Sequence, residues 1–286
     1  MGAVDFRAAK CMAFAALASL CLCGTAQALD LRSYQPGDGA ITTTAGGDAV
    51  DPYFAMKALW VSRTLGGTPQ DQELQWISWL LARQGANGSF PRFCRTDTPS
   101  GDSWRACADA DADDATLALW IALLTEASAA RLPVAWAQSL AKAAHYLARA
   151  QNLRTAMAKA FGSKDYGLLA WSAGGDLGSE QFYPHRVAHL YPWIHGVPTG
   201  SFGPVLSADE WFTRFADGWL TRSDDAFAWG LVALFAYQQH KYSLVDRWLE
   251  SAQGVRSSAV WNVLDETLFQ ELSRARQMNN VRRPAQ

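Results

Sequence analysis

Three times along the chain, aspartates come directly before an apolar segment that contains several small residues. The strongest instance is Asp109–Asp114, in which four of the six residues are aspartate and which runs into the apolar segment Ala115–Leu124. The pattern returns in Ser223–Leu234 and, more faintly, in Asp48–Leu59. Aspartate favours helix starts because its carboxylate accepts hydrogen bonds from the first backbone N–H groups and complements the helix dipole. The repeats predict several helices that deliver carboxylates to one place.

Apolar residues recur at spacings of three and four through most of the chain, and runs of alternating β-branched residues are scarce. This periodicity predicts helices near 51–64, 69–84, 113–128, 133–151, 178–195, 208–221, 224–240, 242–253 and 258–277, with a short strand within 163–172. Helices that are apolar on most sides belong inside a fold, and amphipathic ones form an outer layer. Inner helix, short turn and outer helix, repeated around an axis, make an α/α toroid. We therefore expect an all-α toroid that forms a single domain.

The first residues are typical of an export signal. Arg7 and Lys10 precede the apolar run Cys11–Cys23, and Ala26–Ala28 fits the small-residue cleavage rule. The expected division of the chain is a signal peptide over 1–28, a toroid domain over 29–280 and a polar tail over 281–286. The apolar run is too short to span a bilayer, so we expect no stable membrane insertion after cleavage. The mature protein is predicted to be periplasmic or secreted.

Composition excludes several classes of function. The 25 basic and 27 acidic residues give a net charge of −2, which provides no electrostatic reason to bind nucleic acid. The chain has no P-loop, dinucleotide-binding or serine-hydrolase motif, so no cofactor is expected. The aspartate run Asp109–Asp114 lacks the glycine and glutamate of an EF-hand loop, and no metal site is assigned. A monomer is expected.

Cys94 and Cys107 are the two cysteines that would remain after signal cleavage. Twelve residues rich in Pro, Gly, Ser and Asp separate them, and an oxidising compartment favours a disulfide between them. Such a bridge would remove about 3 kcal/mol of loop entropy from the unfolded chain. It would also fix the approach to the acidic cluster.

The segment Asp109–Asp114 has more carboxylates than helix capping requires, because one helix start uses one cap. Surplus carboxylates at close range are tolerable if they are solvated, bind a cation or serve as a catalytic acid and base. Aromatic residues are the second indication, since 13 tryptophans are present and those near loops can stack on sugar rings. A third cluster, rich in Tyr and His, spans 180–195 and is typical of a polar binding rim. The residues expected to bind substrate are Asp111, Asp114, Asp224, Tyr53, Trp104, Arg105, Glu180, Tyr183 and His185.

Two of these segments resemble glycoside hydrolase family 8, a family of α/α-toroid enzymes. Ala110–Leu119 is similar to the family's aspartate-rich start of an inner helix, and Ser223–Ala226 is similar to its Ser-x-Asp-Ala motif, whose aspartate is the catalytic base. The resemblance implies that Asp225 is the base. Alignment on Tyr53 puts Ala49 where the family has its catalytic glutamate. The acid is therefore left among Asp48, Asp51, Asp113 and Asp114.

The chain also resembles class II terpene cyclases at two places. Asp111–Asp114 matches their Asp-x-Asp-Asp acid motif, in which Asp113 would donate the proton. Trp79–Phe90 looks like their Gln-Trp motif. Both resemblances imply a helical toroid.

The leading hypothesis is an exported glycoside hydrolase of inverting type that acts on a polysaccharide or oligosaccharide in an acidic, aromatic-lined cleft. Asp225, Asp113 and Asp51 are its candidate catalytic residues. The alternatives are a non-catalytic protein that binds glycans or other ligands with the same fold, and a terpene-cyclase-like enzyme.

Overall fold

The structure, a computed structural model, describes residues 29–66, 70–83, 94–95, 186–187, 189–194, 205–221 and 227–282. Most of these residues are helical. A 3₁₀ turn at Arg32–Tyr34 and a ribbon of two strands complete the elements. The strands are β1 (Ala49–Val50) and β2 (Cys94–Arg95), and the helices are α1 (Pro52–Thr64), α2 (Gln70–Leu81), α3 (Tyr191–Ile194), α4 (Ala208–Thr221), α5 (Gly230–Gln238), α6 (Tyr242–Gln253) and α7 (Val263–Arg282). The all-α class is confirmed for the part described, and the toroid arrangement stays a prediction.

Helix α1 begins and ends where local sequence signals indicate. Asp51 caps its first turn and Pro52 occupies the first helical position, where a missing N–H has no cost. The helix ends at Thr64, and Gly66 follows with a φ of +80°. The predicted bounds of α1, α2, α4 and α6 agree with the structure to within about three residues.

Helices α1 and α7 pack against each other through a polar network set among apolar side chains. The Ser62 hydroxyl donates to Glu271 Oε1 at 2.6 Å, and Arg274 Nε donates to Glu271 Oε2 at 2.9 Å. Arg274 Nη2 also donates to the Leu65 carbonyl at 2.7 Å, beyond the end of α1. The buried carboxylate of Glu271 is thus paired and hydrogen-bonded, which is the condition for burying a charge at tolerable cost.

Helix α5 lies inside the fold between helices with exposed faces. Every residue from Gly230 to Ala236 is buried, whereas α4 and α6 alternate buried and exposed positions. Trp211 and Trp219 of α4 and Trp248 of α6 are fully buried in the same apolar cluster as α5. The predicted difference between an apolar inner helix and amphipathic neighbours therefore holds for this part of the chain.

Two predicted helix starts are wrong. The helix expected from residue 224 begins at Gly230, and Phe227–Trp229, which come directly before it, are not helical. The helix expected from residue 258 begins at Val263, where Asn262 Oδ1 accepts from the backbone N–H groups of Leu264 (2.9 Å) and Asp265 (3.2 Å). That helix also extends to Arg282, five residues beyond its predicted end.

Other predicted elements lie outside the described residues. They are the helices over 113–128 and 133–151, the strand within 163–172 and residues 178–185 of the helix expected over 178–195. The continuous helix expected there is wrong in its described part, because residues 186–187 and Tyr191–Ile194 are helical whereas His189 and Leu190 form a turn. Among the helices that the structure describes, none is long and apolar enough to cross a membrane.

Candidate functional site

The start of α1 carries two of the predicted site residues, Asp51 and Tyr53. Asp51 Oδ1 accepts a hydrogen bond of 2.9 Å from the Tyr53 backbone N–H, as an N-cap does. The Asp51 backbone N–H in turn donates to Thr43 Oγ1 at 2.9 Å, which fixes the chain as it enters the helix. Asp51 therefore has a structural task at this position, whatever further role its carboxylate has.

The ribbon β1–β2 places a distant part of the chain beside this helix start. Ala49 pairs with Arg95 and Val50 pairs with Cys94 in an antiparallel register. Asp48 Oδ2 lies 3.9 Å from Arg95 Nε, in an ion pair whose side chains are both more than half exposed. Cys94 and Arg95 are thus attached to the segment that precedes α1.

Cys94 is buried, with 1% of its surface exposed, and it is disulfide-bonded. Its partner lies outside the described residues. The pairing of Cys94 with Cys107 therefore stays a prediction.

Lys57 is a notable residue of α1 that the sequence analysis missed. Its surface is only 2% exposed, and its ammonium lies 4.6 Å from the centroid of the Tyr53 ring, one helical turn earlier. The Tyr53 ring also meets the Phe54 ring edge to face at 5.3 Å. Lysine is almost never fully buried unless it is paired. A single cation within the apolar run Ala55–Leu59 was the signal that could have revealed it.

The other predicted site residues lie outside the described residues. They are Asp111, Asp113, Asp114, Asp224, Asp225, Trp104, Arg105, Glu180, Tyr183, His185 and Cys107. Their roles in the site stay predictions.

The segment that follows Asp225 is held by two tryptophans. Trp248 Nε1 donates to the Ala228 carbonyl at 2.7 Å, and Trp219 Nε1 donates to the Trp229 carbonyl at 3.2 Å. These bonds hold the carbonyls of the two residues that directly precede α5. The inner helix expected from residue 224 therefore begins at Gly230, with Trp229 at its N-cap, and Asp224 and Asp225 lie outside the described residues.

His189, predicted to share a helix face with His185, is fully buried. Its Nε2 lies 3.0 Å from the Leu206 carbonyl, and its ring lies 4.6 Å from the Trp193 ring. Because a carbonyl only accepts hydrogen bonds, Nε2 carries the proton. Burial lowers the pKa of His189 to about 4, so the ring is neutral at pH 7. His189 is a core residue and not part of an exposed binding rim.

Trp79, the first residue of the segment that resembles a Gln-Trp motif, is also a core residue. It is 4% exposed and stacks on Trp76 with ring centroids 5.1 Å apart. Its indole N–H donates to Asp38 Oδ2 at 3.2 Å, and the Arg83 guanidinium lies 3.9 Å from its ring centroid. Trp79 therefore attaches the loop around Asp38 to α2.

Within the described ranges, no group of three or more His, Cys, Asp or Glu side chains is arranged to hold a metal ion. The described part of the site consists of carboxylates, a tyrosine and two cations around the start of α1. Such groups can bind a polar ligand and move protons.

Comparison with protein-family models, curated proteins and solved structures gave no match.

Proposed function

We propose that the protein is an exported glycoside hydrolase of inverting type that acts on a polysaccharide or oligosaccharide in the periplasm or outside the cell. Asp225 acts as the base that activates water, and one carboxylate among Asp48, Asp51, Asp113 and Asp114 protonates the leaving oxygen. The observation that carries the proposal is the pairing of β1 with β2. It connects the helix start at Asp51 to the chain that leads toward the acidic cluster.

Simple distances support a common location for these carboxylates. Paired residues of antiparallel strands have Cα atoms about 4.5–5.5 Å apart, and disulfide-linked residues have Cα atoms about 4.4–6.8 Å apart. If Cys94 is bonded to Cys107, the Cα of Cys107 lies within about 12 Å of the Cα of Val50. Asp109, two residues further along the chain, then lies within about 20 Å of it. Both acidic segments would border one cleft.

The test of catalysis is Asp225→Asn, which keeps the size of the side chain and removes the base. An inverting enzyme needs a carboxylate on the water side of the sugar, about 6.5–9.5 Å from the acid. We expect the variant to release no product from β-linked and acidic polysaccharides while it binds them nearly as well as the wild type does. Reducing-end release and binding are measured on the same panel. Hydrolysis by the variant at the wild-type rate would contradict the assignment.

Asp51→Asn is the companion variant, because asparagine caps a helix about as well as aspartate and cannot donate an acidic proton. If Asp51 is the acid, hydrolysis is lost while the thermal midpoint stays the same. If another carboxylate is the acid, both quantities stay near those of the wild type. The variant thus separates the capping role from the catalytic one.

A non-catalytic glycan-binding protein is the second candidate, and two observations favour it. Ala49, at the place of the family's glutamate, lies in β1 opposite Arg95. Asp51 Oδ1 accepts the hydrogen bond of a helix cap, whereas a catalytic acid must donate a proton. This candidate predicts that the wild-type protein binds a glycan of the panel and releases no product from any of them.

A further inference from the structure

A second candidate site lies where α5, α6 and α7 meet. We call it the turn patch and define it by Tyr237, His240, Tyr242, Asp246, Arg276 and Asn279. It lies at the C-terminal end of α5, whereas the predicted base precedes the N-terminal end. The nine residues of α5 separate the two ends by about 13 Å.

His240 occupies a backbone conformation that normally requires glycine. Its φ is +58°, and among the described residues it is the one non-glycine residue with a positive φ. The His240 N–H donates to the Tyr237 carbonyl at 3.0 Å, and the Lys241 N–H donates to the Ala236 carbonyl at 2.8 Å. These two bonds form a Schellman motif, in which glycine is the usual residue at this position. The backbone of His240 is therefore strained. Because the His240 side chain is exposed, core packing does not explain why histidine stands here in place of glycine.

The side chains of the turn patch are held in place by one another. His240 Nδ1 and the Tyr242 hydroxyl are 2.9 Å apart, and Asn279 Nδ2 donates to the Tyr237 hydroxyl at 3.0 Å. The Tyr237 and Tyr242 rings lie 5.6 Å apart, and the Arg276 guanidinium lies 4.6 Å from the Tyr242 ring centroid. A surface whose side chains are already ordered loses little conformational entropy when a ligand binds.

The charges of the turn patch cancel. Arg276 Nε and Nη2 donate to the two carboxylate oxygens of Asp246 at 2.8 and 2.7 Å. A bidentate pair of this kind leaves no net charge to attract an ionic ligand. What remains are two half-buried tyrosine rings bordered by imidazole, amide, guanidinium and carboxylate groups. Flat aromatic surface beside planar donors and acceptors suits a neutral ligand that has both apolar C–H faces and many hydroxyl groups.

We propose that the turn patch is a glycan-binding site, separate from the catalytic site, that takes a neutral sugar chain. The sugar face packs on the Tyr237 and Tyr242 rings, and its hydroxyl groups exchange hydrogen bonds with His240, Asp246 and Asn279. The inference shares the carbohydrate class with the proposed function, and it depends on none of the proposed catalytic residues.

The test is His240→Gly. Glycine relieves the backbone strain and removes the imidazole, so the thermal midpoint stays the same or rises by up to about 3 °C. Affinity for a neutral glycan, measured with cellulose, xylan and chitin and with their soluble oligosaccharides, falls about 10-fold. A variant that is at least as stable as the wild type but binds the glycan more weakly would show that His240 contributes to recognition and not merely to the structure.

Tyr242→Ala and Arg247→Gln complete the design. Tyr242→Ala removes the central ring and is expected to weaken binding at least as much as His240→Gly does. Arg247→Gln removes an exposed ion pair of the same helix, which Arg247 Nη1 makes with Asp217 at 3.0 Å, and should leave binding unchanged. Hydrolysis of soluble oligosaccharides, where it occurs, should be the same in all three variants.

The two proposals fail differently. If the wild-type protein binds glycans and the turn-patch variants bind them equally well, only this inference is overturned. If the wild-type protein binds no glycan of the panel, both the proposed function and this inference are overturned. Binding that falls by the same factor in Arg247→Gln as in His240→Gly would also contradict the turn patch as a specific site.

Discussion

His189 shows what burial does to a single titratable residue in this fold. Its folded pKa of about 4 lies below the ordinary value of 6.5, because the buried ring cannot be solvated when charged. A histidine that is buried in its neutral form contributes its full stabilisation at pH values above the pKa that it has in the unfolded chain. Below that, protons bind the unfolded chain first. We expect the free energy of unfolding to fall between pH 6.5 and pH 4, by up to about 3 kcal/mol.

The measurement is urea unfolding of the wild type and of His189→Gln at pH 7.5, 5.5 and 4.5. Glutamine retains a donor for the Leu206 carbonyl and does not titrate. The variant is expected to be less stable at pH 7.5 and to lose less stability on acidification than the wild type. Equal losses in the two proteins would show that His189 is not the group responsible.

Residue-scale prediction succeeds where the physics is local. Asp51 was predicted to begin a helix, and it caps one, because its carboxylate, Pro52 and the following periodicity all act within a few residues. Lys57 shows the opposite case. Its burial depends on what packs around the second turn of α1, and its sequence neighbours do not specify that.

At the scale of elements, the beginning of α5 is set by other helices. The carbonyls of Ala228 and Trp229 are held by Trp248 and Trp219, which lie on α6 and α4. Helical periodicity extends back to residue 224, but Phe227–Trp229 are not helical, and these tertiary hydrogen bonds hold two of their carbonyls. The ribbon β1–β2 was unpredictable for a similar reason. Two-residue strands have no periodicity, and their partners are separated by more than 40 residues of sequence.

Gly230 is the place where this packing is tightest. A Cβ atom there would lie 2.8 Å from Leu268 Cδ1 and 2.8 Å from Trp248 Cζ2, both of which belong to fully buried side chains. We expect Gly230→Ala to lower the free energy of unfolding by about 1–3 kcal/mol, because the extra carbon overpacks the contact of α5 with α6 and α7.

The matched control is Gly254→Ala at the end of α6. There an added Cβ would come no closer than 3.5 Å to its nearest neighbour, the Ser251 carbonyl oxygen, and the backbone is right-handed. That variant should be as stable as the wild type or slightly more stable. Both are compared by chemical denaturation. A Gly230→Ala protein with the wild-type midpoint would mean that Trp248 and Leu268 move aside freely.

At the scale of the whole molecule, the first described residues are joined to the last helix. The Asp30 N–H donates to Gln270 Oε1 at 2.9 Å, and Gln270 Nε2 donates back to the Asp30 carbonyl at 3.0 Å. Gln270 Nε2 also donates to Glu266 Oε1 at 2.8 Å, and Glu266 is paired with Arg256. These bonds connect the N-terminal segment to α7 and to the turn before it.

The domain start at residue 29 stays a prediction. It follows from the small-residue cleavage rule, and export is a prediction as well. The structure adds a physical observation, because Leu29, Leu31 and Tyr34 are buried in the cluster formed with α1 and α2. Contacts between residues 240 positions apart cannot be read from periodicity, since they depend on how the complete chain closes.

Removal of residues 29–34 should therefore damage the fold far more than its length suggests. Three buried side chains, each contributing about 1.5–3 kcal/mol, and the hydrogen bonds of Gln270 are lost together. We expect a drop of about 5 kcal/mol or more in the free energy of unfolding, which is about a third or more of the total for an ordinary domain.

Gln270→Ala, which removes only the hydrogen bonds, should lower the free energy of unfolding by about 1–2 kcal/mol. A protein without residues 283–286, which follow α7, serves as the control and should unfold at the wild-type urea concentration. If removal of residues 29–34 leaves the urea midpoint unchanged, the N-terminal segment is not part of the cooperative fold.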